Sequence, residues 1–247
     1  GIQRPEYLVR DECPARIRAH SPEARVLAVL RDPVARAVSA WFWYVQFGRV
    51  PFISVDAGIE ALLDGTLGAA YPHGPEVLEY GFYGRHLSRY LDQFGPERVL
   101  VLLIDELEEP ATFARIYGFL GVDPEHRPAP AGRALTNAGV YDRRRLRVLR
   151  VRRRWVWSWD GVTTYTYRPR RWRRPLAFLP NAAVVAFDRV VLASLFGNER
   201  PRLRPDLETR LRALYTPDVA VLESLLGRDL SAWKTPTQRS GPEVPSE

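Results

Sequence analysis

Arg31 and Ser39 are the side chains best placed to bind an anion, because they flank a predicted transition from strand to helix. Val26–Leu30 is a short apolar run, typical of a strand that is buried on both faces. Asp32–Pro33 follows, with a favoured N-cap and a favoured first helical residue, and a helix is predicted over Val34–Phe47. Ligands bind at the carboxyl ends of parallel strands, and a helix N-terminus there favours an anion. The pattern therefore predicts a phosphate site, with Arg31 at the strand end and Ser39 about two turns into the helix.

A structural explanation of the same residues remains open. Arg31 would end the strand in an ion pair with Asp32 or Glu23. Ser39 would then be an ordinary solvated residue of the helix. These residues alone are compatible with both the phosphate site and the ion pair.

The wider sequence A-R-V-L-A-V-L-R-D-P-V-A-R-A-V-S-A-W resembles the segment of sulfotransferases that holds the 3'-phosphate of phosphoadenosine phosphosulfate (PAPS). In that family an arginine after a strand and a serine on the next helix bind this phosphate, and Arg31 and Ser39 match those positions. Three further stretches resemble sulfotransferases of the heparan-sulfate and bacterial type: Pro5–Leu8, Tyr83–Val122 and Arg200–Trp233. In the last of them, Arg200 falls near the place where such enzymes return a basic loop to the 3'-phosphate. The resemblance therefore implies three cofactor-binding residues: Arg31, Ser39 and Arg200.

The resemblance also implies a fold and a reaction. The fold is α/β, with a parallel central sheet flanked by helices, as in the P-loop-kinase-like sulfotransferases. The reaction is transfer of a sulfuryl group from PAPS, the co-substrate, to a hydroxyl or amine of an acceptor, expected to be a carbohydrate. By analogy with phosphoryl transfer, it needs in-line positioning, cationic neutralisation and a base that removes the acceptor proton. It needs no metal, and the sequence indicates no metal site.

The chain departs from this family at the donor loop. Sulfotransferases open with a strand and a loop rich in Gly, Ser and Thr that cradles the 5'-phosphosulfate and usually carries a lysine or arginine. No such loop lies near the start of this sequence, and its only lysine is Lys234. Because the chain begins with glycine and contains no methionine, we expect an N-terminally truncated piece that is inactive by itself. The four histidines are predicted to lie at the surface, so no general base is identified: His20, His73, His86 and His126.

The remaining elements predict an α/β protein. Arg98–Ile104 is the second buried strand, so a mainly parallel sheet containing 25–31 and 98–104 is expected, covered on both faces. Without a first strand, an exposed edge or apolar groove is expected beside 25–31. Helices are predicted over Asp11–His20, Phe52–Leu63, Glu76–Phe94, Glu109–Leu120 and, as two helices broken at Thr216–Asp218, Pro205–Leu226; Glu6–Val9 is expected to be a strand or extended segment. We expect one sulfotransferase-like domain over 1–233, with a basic helical excursion at about 141–200, and a disordered tail over 234–247.

A second class of function is indicated by the basic charge. The chain has 36 lysine and arginine residues against 29 acidic ones, a net charge of +7, which favours anionic partners. Arg143–Arg174 interleaves arginines with four tryptophans: Trp155, Trp157, Trp159 and Trp172. Such a segment binds single-stranded nucleic acid, contacts an anionic membrane surface, lines a cleft for an acidic sugar, or forms a solvated helix face with packed tryptophans. The alternative function is therefore a non-catalytic module that binds polyanions.

Two further features bear on the location of the protein. Cys13 is the only cysteine, which excludes an intramolecular disulfide and favours a reducing compartment, so a cytoplasmic location is expected. Leu176–Leu195 is apolar, but Asp188 and Arg189 interrupt it at a depth where charges are costly in a bilayer. A transmembrane helix is therefore not predicted there.

Overall fold

The computed structural model of the protein describes residues 1–68, 70–126, 139–158, 168–169, 183–184, 186–196 and 199–236. The chain divides into two compact units, one formed by 1–36, 78–130 and 204–247 and the other by 37–77 and 131–203. The α-helices of at least four residues are α1 (Cys13–His20), α2 (Pro33–Phe47), α3 (Val55–Leu63), α4 (Glu76–Glu79), α5 (Tyr83–Phe94), α6 (Pro110–Leu120), α7 (Arg143–Val156) and α8 (Pro205–Leu226), and a π-helix over Asp188–Leu192 precedes a short α-helical turn over Ala193–Leu195. The strands are β1 (Val26–Leu30), β2 (Val99–Leu103) and the two-residue β3 (Trp157–Ser158) and β4 (Arg168–Pro169). The prediction of a single domain over 1–233 stays a prediction.

The sheet of the first unit pairs β1 with β2 in parallel, as the sequence predicts. β2 is buried at Val99, Val101 and Leu102, which fits its continuous apolar sequence. On β1, by contrast, Leu27 and Val29 are 41% and 42% exposed, so the prediction that this strand is buried on both faces is wrong. Side chains two apart lie on the same face of a strand. One face of β1 is therefore an exposed apolar surface; the edge or groove expected beside the strand stays a prediction.

The C-terminal helix of the first unit packs against α5. Two helices were predicted here, but α8 is continuous and contains Pro217. Asp218, expected to begin a new helix, instead accepts hydrogen bonds from the backbone N–H groups of Gly84 and Arg85, both at 2.8 Å. It caps the start of α5 rather than a helix of its own. The buried side of α8 consists of Leu207, Leu211, Arg212, Tyr215, Val219 and Leu222.

The predicted helix over Glu76–Phe94 is wrong, because it is interrupted between α4 and α5. Gly81 lies in the interruption, and a Cβ atom there would stand 2.7 Å from the Tyr215 ring. The Tyr215 hydroxyl donates a hydrogen bond to the Leu78 carbonyl at 2.9 Å. A tertiary contact with α8 therefore sets the break.

The other local predictions have mixed outcomes. Ser54 caps α3 by accepting a hydrogen bond from the backbone N–H of Ala57 at 3.2 Å, as expected. The segment Pro5–Val9 is a 3-10 helix, so the expected strand or extended segment is wrong; its first residue is proline, which suits the start of a helix. Lys234, the first residue of the predicted tail, forms an ion pair with Glu223 at 2.7 Å. Residues 237–247 of that tail lie outside the described residues, as do Trp159 and Trp172.

The second unit is built around buried side chains of α2, α3 and α7. Trp41 is fully buried, and a Cβ atom at Gly58 would stand 2.1 Å from its ring, so only glycine fits there. On α7, Arg145 binds Asp188 through two hydrogen bonds of 3.0 and 3.1 Å, and both side chains are 7% exposed. The charge that interrupts the apolar run at Asp188 is thus neutralised by a buried partner. Among the helices described, none is both long and apolar enough to cross a bilayer.

Replacing Asp188 by Asn is expected to lower the free energy of unfolding by about 3–5 kcal/mol, because Arg145 would keep a buried charge without its partner. The measurement is urea unfolding followed by circular dichroism. The double variant Arg145→Leu/Asp188→Leu should recover much of the loss, because it removes both charges. Asp206→Asn, in the exposed pair with Arg204, is the control and should change stability far less. Equal losses of unfolding free energy for Asp188→Asn and Asp206→Asn would show that the buried pair of Arg145 and Asp188 contributes no more to stability than an exposed one.

His86 is 1% exposed, so the prediction of a surface histidine is wrong. Its Nδ1 atom lies 2.6 Å from Arg89 Nη2, and its Nε2 atom lies 3.0 Å from the Glu79 carbonyl. Because a guanidinium only donates, Nδ1 accepts the hydrogen bond and Nε2 carries the proton. Burial lowers the pKa of His86, although the nearby carboxylates of Glu79 and Asp218 oppose this shift. The folded protein therefore holds a neutral imidazole at this position.

The free energy of unfolding is expected to rise with pH through the titration of His86. The pKa is lower in the folded state, so the unfolded chain binds more protons; the stability is fully present above the unfolded pKa and is lost as pH falls through the folded pKa. Urea unfolding between about pH 5 and pH 8 measures this slope. His86→Gln should flatten it, and the exposed His20→Gln should not. An unchanged slope in His86→Gln would show that other groups are responsible.

Candidate functional site

The junction between β1 and α2 positions Arg31, which directly follows the strand and is half-buried. Two residues later α2 begins, and Asp32 caps it by accepting a hydrogen bond from the backbone N–H of Ala35 at 2.7 Å. The other oxygen of Asp32 accepts a hydrogen bond from Arg212 Nη1 at 2.9 Å. The predicted N-cap is confirmed, and it is fixed in turn by a residue of α8.

The alternative in which Arg31 pairs with Asp32 or Glu23 is wrong. The Asp32 carboxylate binds Arg212 and the helix N-terminus, and Glu23 binds Arg98 at 2.8 Å. Neither set of contacts involves Arg31. Both carboxylates are thus engaged by other arginines.

Two buried phenols, Tyr83 and Tyr215, lie close to Arg31 and Arg36. Burial raises the pKa of Tyr83 to about 12, although the positive charge of Arg36 and a hydrogen bond with the Arg31 backbone act in the opposite direction. Burial also raises the pKa of Tyr215, which forms a hydrogen bond with Arg36. Both phenols therefore stay neutral at pH 7 and leave the positive charge of the two arginines in place. Arg36 was not singled out from the sequence, because a lone arginine on a helix carries no distinguishing pattern.

Ser39 and Arg200 both contact Tyr141 in the second unit. The Ser39 Oγ and Tyr141 Oη atoms are 3.1 Å apart, and Arg200 Nε donates a hydrogen bond to Tyr141 Oη at 3.4 Å. The Arg200 guanidinium also lies over the Tyr141 ring, 5.9 Å from its centroid. Phe42 holds the ring from another side, edge to face, at 5.3 Å between centroids. Tyr141 therefore brings together two of the three predicted cofactor-binding residues.

This cluster has the chemistry of an anion site. One of the two hydroxyl groups, of Ser39 or of Tyr141, donates its proton to the other, and the exposed Arg200 adds a positive charge and further N–H donors. Hydrogen bonds that involve a charged group are about twice as strong as neutral ones, so a phosphate is a better ligand here than a neutral group. Arg31 belongs to the first unit of the chain. The roles of all three residues in cofactor binding stay predictions.

Tyr141 was missed by the sequence analysis. It stands between a proline-rich stretch and α7, where no periodicity marks a functional side chain. Its importance comes from contacts with residues distant in the sequence. Only the fold shows such contacts.

A second polar cluster in this unit involves His73, which is 6% exposed rather than at the surface as predicted. Its Nδ1 atom lies 2.9 Å from Glu76 Oε1, and the Tyr44 hydroxyl donates to Glu76 Oε2 at 2.6 Å. Both carboxylate oxygens thus carry hydrogen bonds, and the one from Tyr44 ties α2 to the first residue of α4. The cluster explains why this histidine is buried. His20 and His126 are exposed, as predicted.

Comparison with known proteins shows related sequences among enzymes that act on heparan sulfate. The chain is 31% identical over 128 residues to heparan sulfate glucosamine 3-O-sulfotransferase 3B1 of Homo sapiens, covering 48% of this chain and 30% of that protein. It is 24% identical over 102 residues to bifunctional heparan sulfate N-deacetylase/N-sulfotransferase 1 of Caenorhabditis elegans, covering 41% of this chain and 12% of that protein. The chain thus spans less than a third of the length of these relatives. No protein-family model matches it.

The fold has a solved counterpart in a sulfotransferase from Alicyclobacillus acidocaldarius. The similarity has a TM-score of 0.57 and covers 93% of this chain and 65% of that one, at 23% sequence identity. It confirms the predicted α/β sulfotransferase fold. Together with the related sequences, it confirms the resemblance to sulfotransferases found in the sequence.

Proposed function

We propose that this chain supplies the 3'-phosphate-binding part of a PAPS-dependent sulfotransferase that acts on a carbohydrate acceptor. The observation that carries the proposal is the convergence of Ser39 and Arg200 on the hydroxyl of Tyr141. The names of the related proteins, which describe transfer to heparan sulfate, support a carbohydrate acceptor. The single cysteine supports a cytoplasmic location.

In this proposal Arg31, Ser39 and Arg200 bind the 3'-phosphate and position the donor. A phosphate of this kind carries about two negative charges at neutral pH, which two guanidinium groups neutralise while the hydroxyl groups donate hydrogen bonds. During transfer, the bond from sulfur to the bridging oxygen of PAPS breaks and a bond from the acceptor oxygen or nitrogen to sulfur forms. A base takes the acceptor proton, and adenosine 3',5'-bisphosphate leaves. The three residues bind the 3'-phosphate, whereas the bond that breaks lies in the 5'-phosphosulfate.

A non-catalytic polyanion-binding module is the second candidate, and the arginine-rich helix α7 favours it. The two functions differ in their dependence on nucleotide. A polyanion-binding module would bind its ligand with a strong salt dependence and would have no specific affinity for adenosine 3',5'-bisphosphate. Nucleotide binding therefore separates them.

Replacing Arg31 by Ala is expected to weaken binding of adenosine 3',5'-bisphosphate by about 1.5–3 kcal/mol, the contribution of a hydrogen bond to a charged group. Tyr141→Phe keeps the ring but removes the hydroxyl that orients Ser39 and Arg200, and should weaken binding by about 0.5–1.5 kcal/mol. Isothermal titration calorimetry of the chain gives both values. Arg16→Ala, which makes the same charge change at an exposed position, is the control. If Arg31→Ala and Tyr141→Phe both bind the nucleotide as tightly as the wild type does, Arg31 and Tyr141 do not form the site.

Incubated with labelled PAPS, the chain by itself is expected to show no turnover with glycan, phenol or amine acceptors. Its sequence contains no Gly-, Ser- and Thr-rich loop after a strand to bind the 5'-phosphosulfate. Donors aimed at the charge that develops on the leaving group usually supply the largest catalytic contribution. A longer product of the same gene that includes such a loop should be active on a carbohydrate. Clear turnover by the chain alone would show that a donor loop is present within it.

A further inference from the structure

Three apolar side chains are exposed on the segment of the second unit that contains the π-helix Asp188–Leu192. Phe187, Val190 and Leu195 are 51%, 71% and 66% exposed, whereas Leu192, on the inner side of the segment, is buried. Large apolar side chains that are exposed together mark a contact with a partner protein or a membrane. We call Phe187, Val190 and Leu195 the apolar ridge.

Two polar side chains of this segment, Asp188 and Ser194, are satisfied within the protein. Asp188 is buried, and Arg145 neutralises it through two hydrogen bonds. The Ser194 hydroxyl lies 2.8 Å from the Val191 carbonyl and 3.0 Å from the Val190 carbonyl, so its single proton is used within its own helix. An ordinary surface helix has the reverse arrangement, with polar groups outward and apolar groups inward. The outer side of the segment is therefore suited to apolar surroundings.

The sequence around the apolar ridge is strongly basic. Residues 139–203 include sixteen arginines and four acidic residues, and one of these acidic residues is the neutralised Asp188. Just after the ridge, the Arg144 guanidinium lies 3.8 Å from the centroid of the Phe196 ring; Arg144 pairs with Asp142 and remains exposed. Exposed apolar side chains flanked by arginines are typical of an element that lies in the interface of an anionic membrane. The charge of this region thus complements a negatively charged lipid surface.

Other occupants fit the apolar ridge less well. A second copy of the chain would bring two strongly positive regions together, which repel each other. Protein interfaces contain about one hydrogen bond per 100–200 Å² of buried area, whereas the polar groups of Asp188 and Ser194 are already engaged. Nucleic acid bases stack on exposed aromatic rings, and two of the three ridge side chains are aliphatic. The hydrocarbon of a bilayer needs neither hydrogen bonds nor rings.

We propose that the apolar ridge inserts into the surface of a membrane that contains anionic lipids, with arginines of the same unit at the level of the lipid head groups. The helices described are too short or too polar to cross the bilayer, so the segment lies in the interface and does not span the membrane. This contact would hold the second unit at the membrane surface. It does not depend on the proposed transferase function, because it involves neither the nucleotide nor the acceptor.

The test is co-sedimentation of the chain with unilamellar vesicles of phosphatidylcholine, with and without phosphatidylserine. The chain should bind more tightly when phosphatidylserine is present, and added salt should weaken the binding. A triple variant that makes the ridge polar should lose at least about tenfold in affinity for the phosphatidylserine vesicles, because it removes the side chains that enter the lipid. This variant is Phe187→Gln/Val190→Gln/Leu195→Gln.

A matched control removes the same three residue types at exposed positions of the first unit and should bind as the wild type does. This control is Phe113→Gln/Leu120→Gln/Val122→Gln. Thermal unfolding followed by circular dichroism checks that both triple variants are folded.

A fluorescent label on the ridge separates insertion from attraction by charge alone. Cys13 is the only cysteine, so Cys13→Ser provides a background in which one new cysteine carries the label. An environment-sensitive dye attached through Leu195→Cys should shift its emission to shorter wavelength when phosphatidylserine vesicles are added. The same dye attached through Leu120→Cys should show no shift.

Equal affinities of the wild type and the ridge variant for the phosphatidylserine vesicles would overturn the proposal. It would also be overturned if the control variant lost as much affinity, if phosphatidylcholine vesicles bound equally well, or if the label on the ridge showed no shift. Analytical ultracentrifugation without vesicles tests the main alternative. Self-association that the ridge variant abolishes would assign the ridge to a contact between copies of the chain and refute membrane insertion.

Discussion

The carboxylate of Asp32 is the contact on which the turn between β1 and α2 depends. It caps α2 through Ala35 and binds Arg212, which lies 180 positions away in the sequence. The Arg212 side chain is 6% exposed and also binds Glu208 and the Trp233 carbonyl. Leaving this buried guanidinium without its partners would be strongly destabilising. The turn on which Arg31 stands is thus held by the C-terminal helix, although the strand and helix around it form from local sequence.

The difference between local interactions and contacts distant in the sequence explains which parts of the fold the sequence predicts. The strands β1 and β2, their parallel pairing and the N-cap of α2 follow from apolar runs and capping residues that act over a few positions. The break before α5 depends on the Tyr215 ring against Gly81, and Asp218 caps a helix distant in the sequence. Such contacts leave no periodic signal. The same applies to the exposed face of β1, because an apolar run indicates a strand but not what covers it.

The candidate site shows the same limit. Ser39 and Arg200 were identified from motifs of a related family, and the fold brings both to Tyr141, which no motif marks. The buried His86 was predicted at the surface because the helical spacing turns it away from the apolar side, and His73 because it falls in a predicted loop. Each has hydrogen-bond partners in the fold, Glu76 for one and Arg89 with the Glu79 backbone for the other. A satisfied polar group is buried at little cost, and its partners are visible only in three dimensions.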